Sequence, residues 1–406
     1  MKILVVSTSF PRSPGDSLSP FIWEYCLGLK RRGWDVTALV PHHKGLKREE
    51  TWEEIRVMRF KYLPERYEDL AYTGGIMPGL KSRPWTVFKL PLFIRSMYSA
   101  ALHATKEGSF DLVNFQWLFP ASFWLTGFAR KRNIPIVMTG HGTDFRLALR
   151  STSEASQSID VHPVLKSLSE FWARRALRKC TAVTINSEYM KRRSVEDGLP
   201  LPDKTVIIPM GVDTERFSPG RLPPSHSKKL MFVGRLIPLK GLDLLIDSFA
   251  RVVEKIPGAQ LEIIGHGPER QRLVERIQGL GLGDSAILTG PVGHADLPEK
   301  YRSARGLALP SVKVEGLGIT AVEAGACGVP TITFGLGGTS ELVINEKTGL
   351  VVKKDETELA EGIKRILTDD DLVDRLGENA RKKVVGNYGW GEISGRFDAL
   401  YRSLIK

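Results

Sequence analysis

Cysteine is scarce in this chain: Cys26, Cys180 and Cys327 are the only three among 406 residues. They lie far apart in apolar surroundings, which excludes a disulfide framework and a cysteine zinc site and leaves them as core fillers. A long apolar run is missing too. The amino-terminal MKILVVSTSF carries one lysine and passes straight into a strand-like segment, too short for a signal peptide or a membrane span, so a cytoplasmic location is expected. Neither a GxxxxGK[ST] phosphate loop nor a GxGxxG fingerprint occurs, which disfavours a nucleoside triphosphatase and a dehydrogenase. Metal chemistry is poorly supplied: Asp369, Asp370 and Asp371 in TDDDLVDRL read as the acidic start of a helix, and no metal site is inferred.

What is present is a folded, basic protein. A 42% hydrophobic and 26% charged composition is that of a globular chain, and the length calls for two domains. The net charge of +12 is lopsided, with Lys plus Arg exceeding Asp plus Glu by 31 to 20 over residues 1–208 and by 27 to 26 over the rest. A basic front half can face nucleic acid, an anionic membrane or a phosphorylated acceptor, or simply be solvated.

Apolar runs and helical periods alternate throughout. KILVVSTSF, WDVTALVP, DLVNFQ, IPIVMTG, TAVTINS and KTVIIP read as strands, separated by helices at FIWEYCLGLKRRG, PASFWLTGFARKR, PVLKSLSEFWARRALRK and EYMKRRSVEDG. The pattern restarts at KKLMFVGRL and continues through QLEIIG, AILTG, GLALPS and VPTITF. Two Rossmann-like α/β sets imply two domains facing across a cleft, 1–208 and 209–386, joined in the Pro- and Gly-rich PMGVDTERFSPGRLPPSHS. The last segment, 387–406, closes the second domain or crosses back to the first.

Candidate chemistry concentrates in loops after strands. In ALPSVKVEGLGITAVEAGACGVPTITF the chain turns into a helix at Gly316, Leu317 and Gly318, where bare N–H groups meet the positive end of a helix dipole and receive anions. Glu315 lies in the loop at that mouth and Glu323 inside the helix. By residue type alone they are either a cap and a solvated surface group or two ligand carboxylates. GRLIPLKG sets Arg235 after a strand and Lys240 before a helix. A planar fork and a point charge there suit a diphosphate without a metal, or form a solvated basic loop. TGHGTDF places His141 and Asp144 at a strand's carboxyl end, either to bind sugar hydroxyls or move protons, or as a capped helix start with a structural histidine. Gly15 sits in the first strand-to-helix loop. Finally, LKSRPWTVFKLPLFIRSMYSAAL (80–102) mixes Trp85, Phe88 and Leu92 with Lys81, Arg83, Lys89 and Arg95, which suits a membrane interface, core packing or the wall of an acceptor groove.

Taken together, SFPRSPGD, TGHGTDF, VIIPMGVDTERFSP, MFVGRLIPLKG, LEIIGHGPE, ALPSVKVEGLGITAVEAGACGVP, GGTSELV and YGWGEISGRF resemble the family 4 glycosyltransferases over nearly the whole chain. The resemblance implies the two-domain GT-B fold, with the final helix crossing back onto the first domain. It implies a retaining transfer of a hexose from a UDP- or GDP-linked sugar to a hydroxyl of a lipid-linked or polysaccharide acceptor, by same-face attack assisted by the leaving phosphate. No cofactor is implied beyond the donor. By the same similarity Arg235 and Lys240 hold the diphosphate, Glu323 the ribose, and Glu315 with the backbone of Gly316, Leu317 and Gly318 the transferred sugar. His141 sits beside the sugar, with Asp144 a nearby polar contact. The first loop departs from the family's adjacent glycines, having Gly15 followed by Asp16. The rivals are a phosphate-dependent enzyme or a sugar-nucleotide epimerase on the same fold, a hydrolase using the two glutamates, and a binding protein for nucleic acid or other anions. Clustering of Glu315, Glu323, Arg235 and Lys240 favours the sugar-nucleotide enzyme, so nucleic acid is not an expected partner, whereas an anionic membrane surface is.

Overall fold

The buried strands are apolar on both faces, and this decides their arrangement, because a strand buried on both sides belongs to a parallel sheet covered by helices. In the computed structural model, which describes residues 1–16, 18–72, 76, 83–120, 134–149 and 163–405, the chain forms two compact units. One comprises Met1–Pro209 with Ile393–Lys406, the other Met210–Glu392. The helix expected at PASFWLTGFARKR lies outside the described residues from Ala121 onward, as does Lys81.

The first unit is built on β1 (Lys2–Val6), β2 (Asp35–Pro41), β3 (Glu49–Trp52), β4 (Ile55–Phe60), β5 (Leu112–Gln116), β6 (Ile136–Thr139), β7 (Ala182–Ile185) and β8 (Thr205–Ile207). They form one sheet in the order β3-β4-β2-β1-β5-β6-β7-β8, parallel except for the β3–β4 hairpin. Leu4 of β1 faces Thr37 of β2 on one side and Val113 of β5 on the other. Strand order therefore reverses around β1, which opens a crevice beyond the carboxyl ends of β1 and β5. Residues from Ile393 onward complete this unit. Tyr401 Oη lies 2.6 Å from Tyr25 Oη, Trp34 Nε1 donates to Asp398 at 2.7 Å, and the Arg396 guanidinium donates to the Ile207 carbonyl.

The second unit contains β9 (Lys229–Val233), β10 (Gln260–Ile264), β11 (Ala286–Gly290), β12 (Gly306–Leu309), β13 (Thr331–Thr333) and β14 (Gly349–Val351). They are all parallel, in the order β11-β10-β9-β12-β13-β14. This is the doubly wound order, whose switch point lies between β9 and β12. Beyond β14, the helices Glu356–Thr368 and Asp370–Tyr388 meet at Asp369, whose carboxylate accepts from Leu372 N at 3.0 Å. The acidic triplet thus starts a helix, as its spacing predicts.

The hairpin β3–β4 is not visible as a turn in the sequence. Its two-residue loop is Glu53-Glu54, both left-handed at φ 44° and 63°, where Asn-Gly or Asp-Gly would be the ordinary signal. Arg59 of β4 is buried beneath it, ion-paired with Glu50 and packed over the Trp52 ring.

Candidate active site

In the second unit, the loops after β9 and β12 lie side by side at the switch point because their strands are neighbours. They are fastened to each other by the backbone, with Val312 N donating to Leu239 O at 3.0 Å. Gly241, left-handed at φ 68°, allows the approach: a Cβ there would lie 2.1 Å from Pro310 O. The first loop carries Arg235 and a short turn, Pro238–Lys240, while the second carries Ser311 and Glu315. Lys240 Nζ is ion-paired with Glu315 Oε1, both side chains 19% exposed, and Ser311 Oγ donates to the same oxygen. The Glu315 backbone is fixed as well, with its N–H on Leu336 O at 3.2 Å and its carbonyl accepting from Gly338 N at 2.9 Å. By contrast Arg235 is exposed, and its guanidinium has no partner among the described residues.

The chain enters helix Ile319–Ala326 through Gly318, left-handed at φ 82° and without a side-chain cap. Among the described residues no backbone acceptor takes the N–H of Leu317, Gly318, Ile319 or Thr320. These donors, with the helix dipole behind them, make the mouth electropositive next to Lys240 and Arg235. The Leu317 side chain is buried in the core, so only its backbone serves the mouth.

Glu323 is placed differently from a solvated helix residue. Its carboxylate is buried, with Oε1 3.0 Å from His294 Nε2 and Oε2 accepting from Tyr301 Oη at 2.8 Å. The Tyr301 hydroxyl is held well above its usual pKa, first by burial and then by the adjacent Glu323 charge, so it stays a donor. The two partners come from the loop after β11 and from helix Leu297–Arg302.

In the first unit, His141 follows β6 and packs between the rings of Phe21 and Trp117, with centroids at 5.2 and 4.7 Å. Its Nε2 is 2.7 Å from Gln116 Oε1, and burial pushes its pKa down to about 3, so the imidazole is neutral at physiological pH. Asp144 turns its carboxylate onto the backbone. It is buried, and it accepts from Leu118 N, His141 N and Phe145 N at 3.0, 2.9 and 3.0 Å, tying the β5 and β6 loops together. Three backbone donors occupy it, and their bonds oppose the upward pKa push of its burial. Gly15, at φ 85°, has open space where a Cβ would lie. Beside it Asp16 forms a two-point pair with Arg12, at 2.7 and 3.1 Å, and staples the first loop.

The aromatic and basic run divides. Phe93, Ile94 and Met97 are buried, while Trp85, Phe88 and Leu92 are exposed, and Arg83 and Lys89 both bind Asp69. Among the described residues no helix is long and apolar enough to cross a membrane, and no group of three or more His, Cys, Asp or Glu side chains could hold a metal.

Several of these partners carry little sequence signal. His294 and Tyr301 meet Glu323 through the fold, whereas Ser311 reaches Glu315 within one loop. Asn114 and Gln116 leave one trace, two polar residues on the same face of the apolar strand LVNFQ.

Two units, each with a parallel sheet covered by helices, have the architecture of the GT-B glycosyltransferases. Solved structures share the fold over the whole chain: sucrose-phosphate synthase from Thermosynechococcus elongatus (TM-score 0.78, 24% identity, 99% of that chain covered) and Anabaena HepE in complex with UDP and glucose (TM-score 0.72, 18% identity, 100% of that chain covered). The chain belongs to glycosyltransferase family 4. The model described as Glycosyltransferase Family 4 matches residues 19–216, and that described as Glycosyl transferases group 1 matches residues 213–383. A GDP-mannose-dependent alpha-(1-6)-phosphatidylinositol monomannoside mannosyltransferase of Mycobacterium tuberculosis is 31% identical over 250 residues, 57% of this chain and 65% of that protein. The match thus spans less than two thirds of that relative. A D-inositol 3-phosphate glycosyltransferase of Kineococcus radiotolerans is 27% identical across 100% of this chain and 95% of its own length.

Proposed function

We propose that this protein transfers a hexose from a UDP- or GDP-linked sugar to a hydroxyl of a lipid-linked or polysaccharide acceptor, with retention at the anomeric carbon. The observation that carries this reading is the meeting of Lys240, Glu315 and the uncapped helix mouth at one switch point, with Arg235 on the same loop as Lys240. Cations and aligned N–H groups stabilise charge as it grows on a departing diphosphate, with no metal required. In the step itself, the acceptor oxygen bonds to C1 as the bond from C1 to the β-phosphate oxygen breaks, and the acceptor's proton passes to the leaving phosphate. Glu315 holds hydroxyls of the transferred sugar and Glu323 those of the ribose, while His141 of the first unit is a further substrate contact. Relatives that use GDP-mannose and act on inositol-containing acceptors support an acceptor of that polar, phosphorylated kind.

Calorimetry against UDP, GDP, ADP and their hexose conjugates, with chelator present, tests the donor half. Micromolar binding of one diphosphate is expected, and no binding to any would overturn the reading. Proton NMR of the product checks retention, while conversion of the sugar nucleotide itself without acceptor would show an epimerase.

The exposed Trp85, Phe88 and Leu92, with Arg95 nearby, support association with an anionic membrane at the cytoplasmic face. Sedimentation with liposomes that does not depend on anionic lipid would remove that part.

A further inference from the structure

The polar side chains behind His141 form a directed chain, and the backbone sets its direction. Asn114 Nδ2 lies 3.3 Å from Val137 O, an atom that only accepts, and 2.8 Å from Thr139 Oγ1. The Asn114 amide is thereby oriented, leaving Oδ1 as an acceptor. Gln116 sets one amide atom 2.6 Å from that Oδ1, so this atom is its NH2 group and Oε1 faces the other way. Oε1 of Gln116 lies 2.7 Å from His141 Nε2. An amide oxygen has no proton to give, so Nε2 carries it. The ring's lone pair is then on Nδ1, which is buried and has no partner among the described residues.

We propose that Gln116 is a positioning residue that holds His141 as the neutral Nε2–H tautomer, so that Nδ1 is the atom offered to a hydroxyl of bound substrate. His141 is then a hydrogen-bond acceptor and not the base that removes the acceptor's proton, which fits a reaction whose leaving phosphate takes it. A buried acceptor without a partner costs stability, and that cost is recovered when a hydroxyl arrives. This role rests on the glycosyl-transfer reading, but the tautomer does not.

Long-range proton–nitrogen NMR of the full chain labelled with 15N-histidine reads the tautomer directly, with the His141 signals identified by their loss in His141→Asn. The free protein at neutral pH should show the Nε2–H pattern. An Nδ1–H pattern or an imidazolium would overturn the proposal. Gln116→Met should collapse the pattern into a mixture and lower kcat roughly ten-fold, with nucleoside diphosphate affinity unchanged. An unaltered tautomer in Gln116→Met would also overturn it. Should Gln116→Met fail to fold, Gln116→Glu, similar in shape and still an acceptor, should retain Nε2–H, and loss of that pattern there counts against the proposal. A wild-type protein with the Nε2–H tautomer but no diphosphate binding would defeat the transfer reading alone.

Discussion

Lys240 and Glu315, 75 positions apart in sequence, are bound to each other at the switch point of the second unit. An arriving diphosphate must therefore compete with a resident carboxylate for the ammonium. Glu315→Gln should bind nucleoside diphosphate at least as tightly as the wild type, because the competitor has lost its charge. Lys240→Ala should bind it about 10- to 100-fold more weakly, the worth of a charge-assisted hydrogen bond. Both should lose transfer with melting temperatures nearly unchanged, since the pair is half-buried. Calorimetric titration decides: weaker binding by Glu315→Gln would mean that the carboxylate assists the diphosphate instead of competing with it.

Asp144 is expected to matter for stability first. Asp144→Ala strands three backbone N–H groups in a buried loop junction, at a cost of roughly 3 kcal/mol or more. Thermal melts should show the first unit unfolding earlier, with Asp144→Asn, which keeps one acceptor oxygen, intermediate. If Asp144→Ala melted like the wild type while losing activity, the carboxylate would be a substrate group after all.

The Arg12–Asp16 staple should give the first loop a pH dependence. The hydrogen bond from Arg12 lowers the Asp16 pKa to about 2, below its unfolded value near 3.8. A depressed carboxylate stabilises fully above the unfolded value, and that stability is lost as pH falls through about 2. Discounted for the half-exposed Arg12, it is on the order of 1 kcal/mol at neutral pH. The gap in melting temperature between wild type and Asp16→Asn should be constant above pH 5 and shrink between pH 4 and pH 2. A gap that persists at pH 2 would contradict this linkage.

Tyr301→Phe removes one of two donors to the buried Glu323 carboxylate while preserving the ring. A loss of about 1–2 kcal/mol from the second unit is expected. If Glu323 binds the ribose, KM for the donor should rise several-fold with kcat nearly kept, because a nucleoside contact is made equally before and during the reaction. A fall in kcat at constant KM would move Glu323 out of the nucleoside site.

The sequence made the second unit's sheet and loops readable because its strands are continuous apolar runs and its glycines fall where loops turn into helices. Arg235, Lys240 and Glu315 were legible as loop residues, but Lys240 and Glu315 not as an ion pair, since that contact depends on β9 lying next to β12. His294 and Tyr301 were hidden for the same reason: nothing local marks them as partners of Glu323. The β3–β4 hairpin escaped because two glutamates occupy a turn that usually advertises itself with glycine. Asp144 was visible as a polar residue beside His141 and its bonds to His141 N and Phe145 N are local, yet its third donor, Leu118 N, comes from the loop after β5, which no spacing encodes.

Completion of the first unit by residues from Ile393 onward bears on how this protein is made. Until residues from Ile393 onward leave the ribosome, Tyr25 and Trp34 lack Tyr401 and Asp398, so the first unit, whose eight strands are made by Ile207, is covered only after the second has been synthesised. A chain stalled or clipped before Ile393 would therefore leave Tyr25 and Trp34 uncovered in an otherwise assembled first unit.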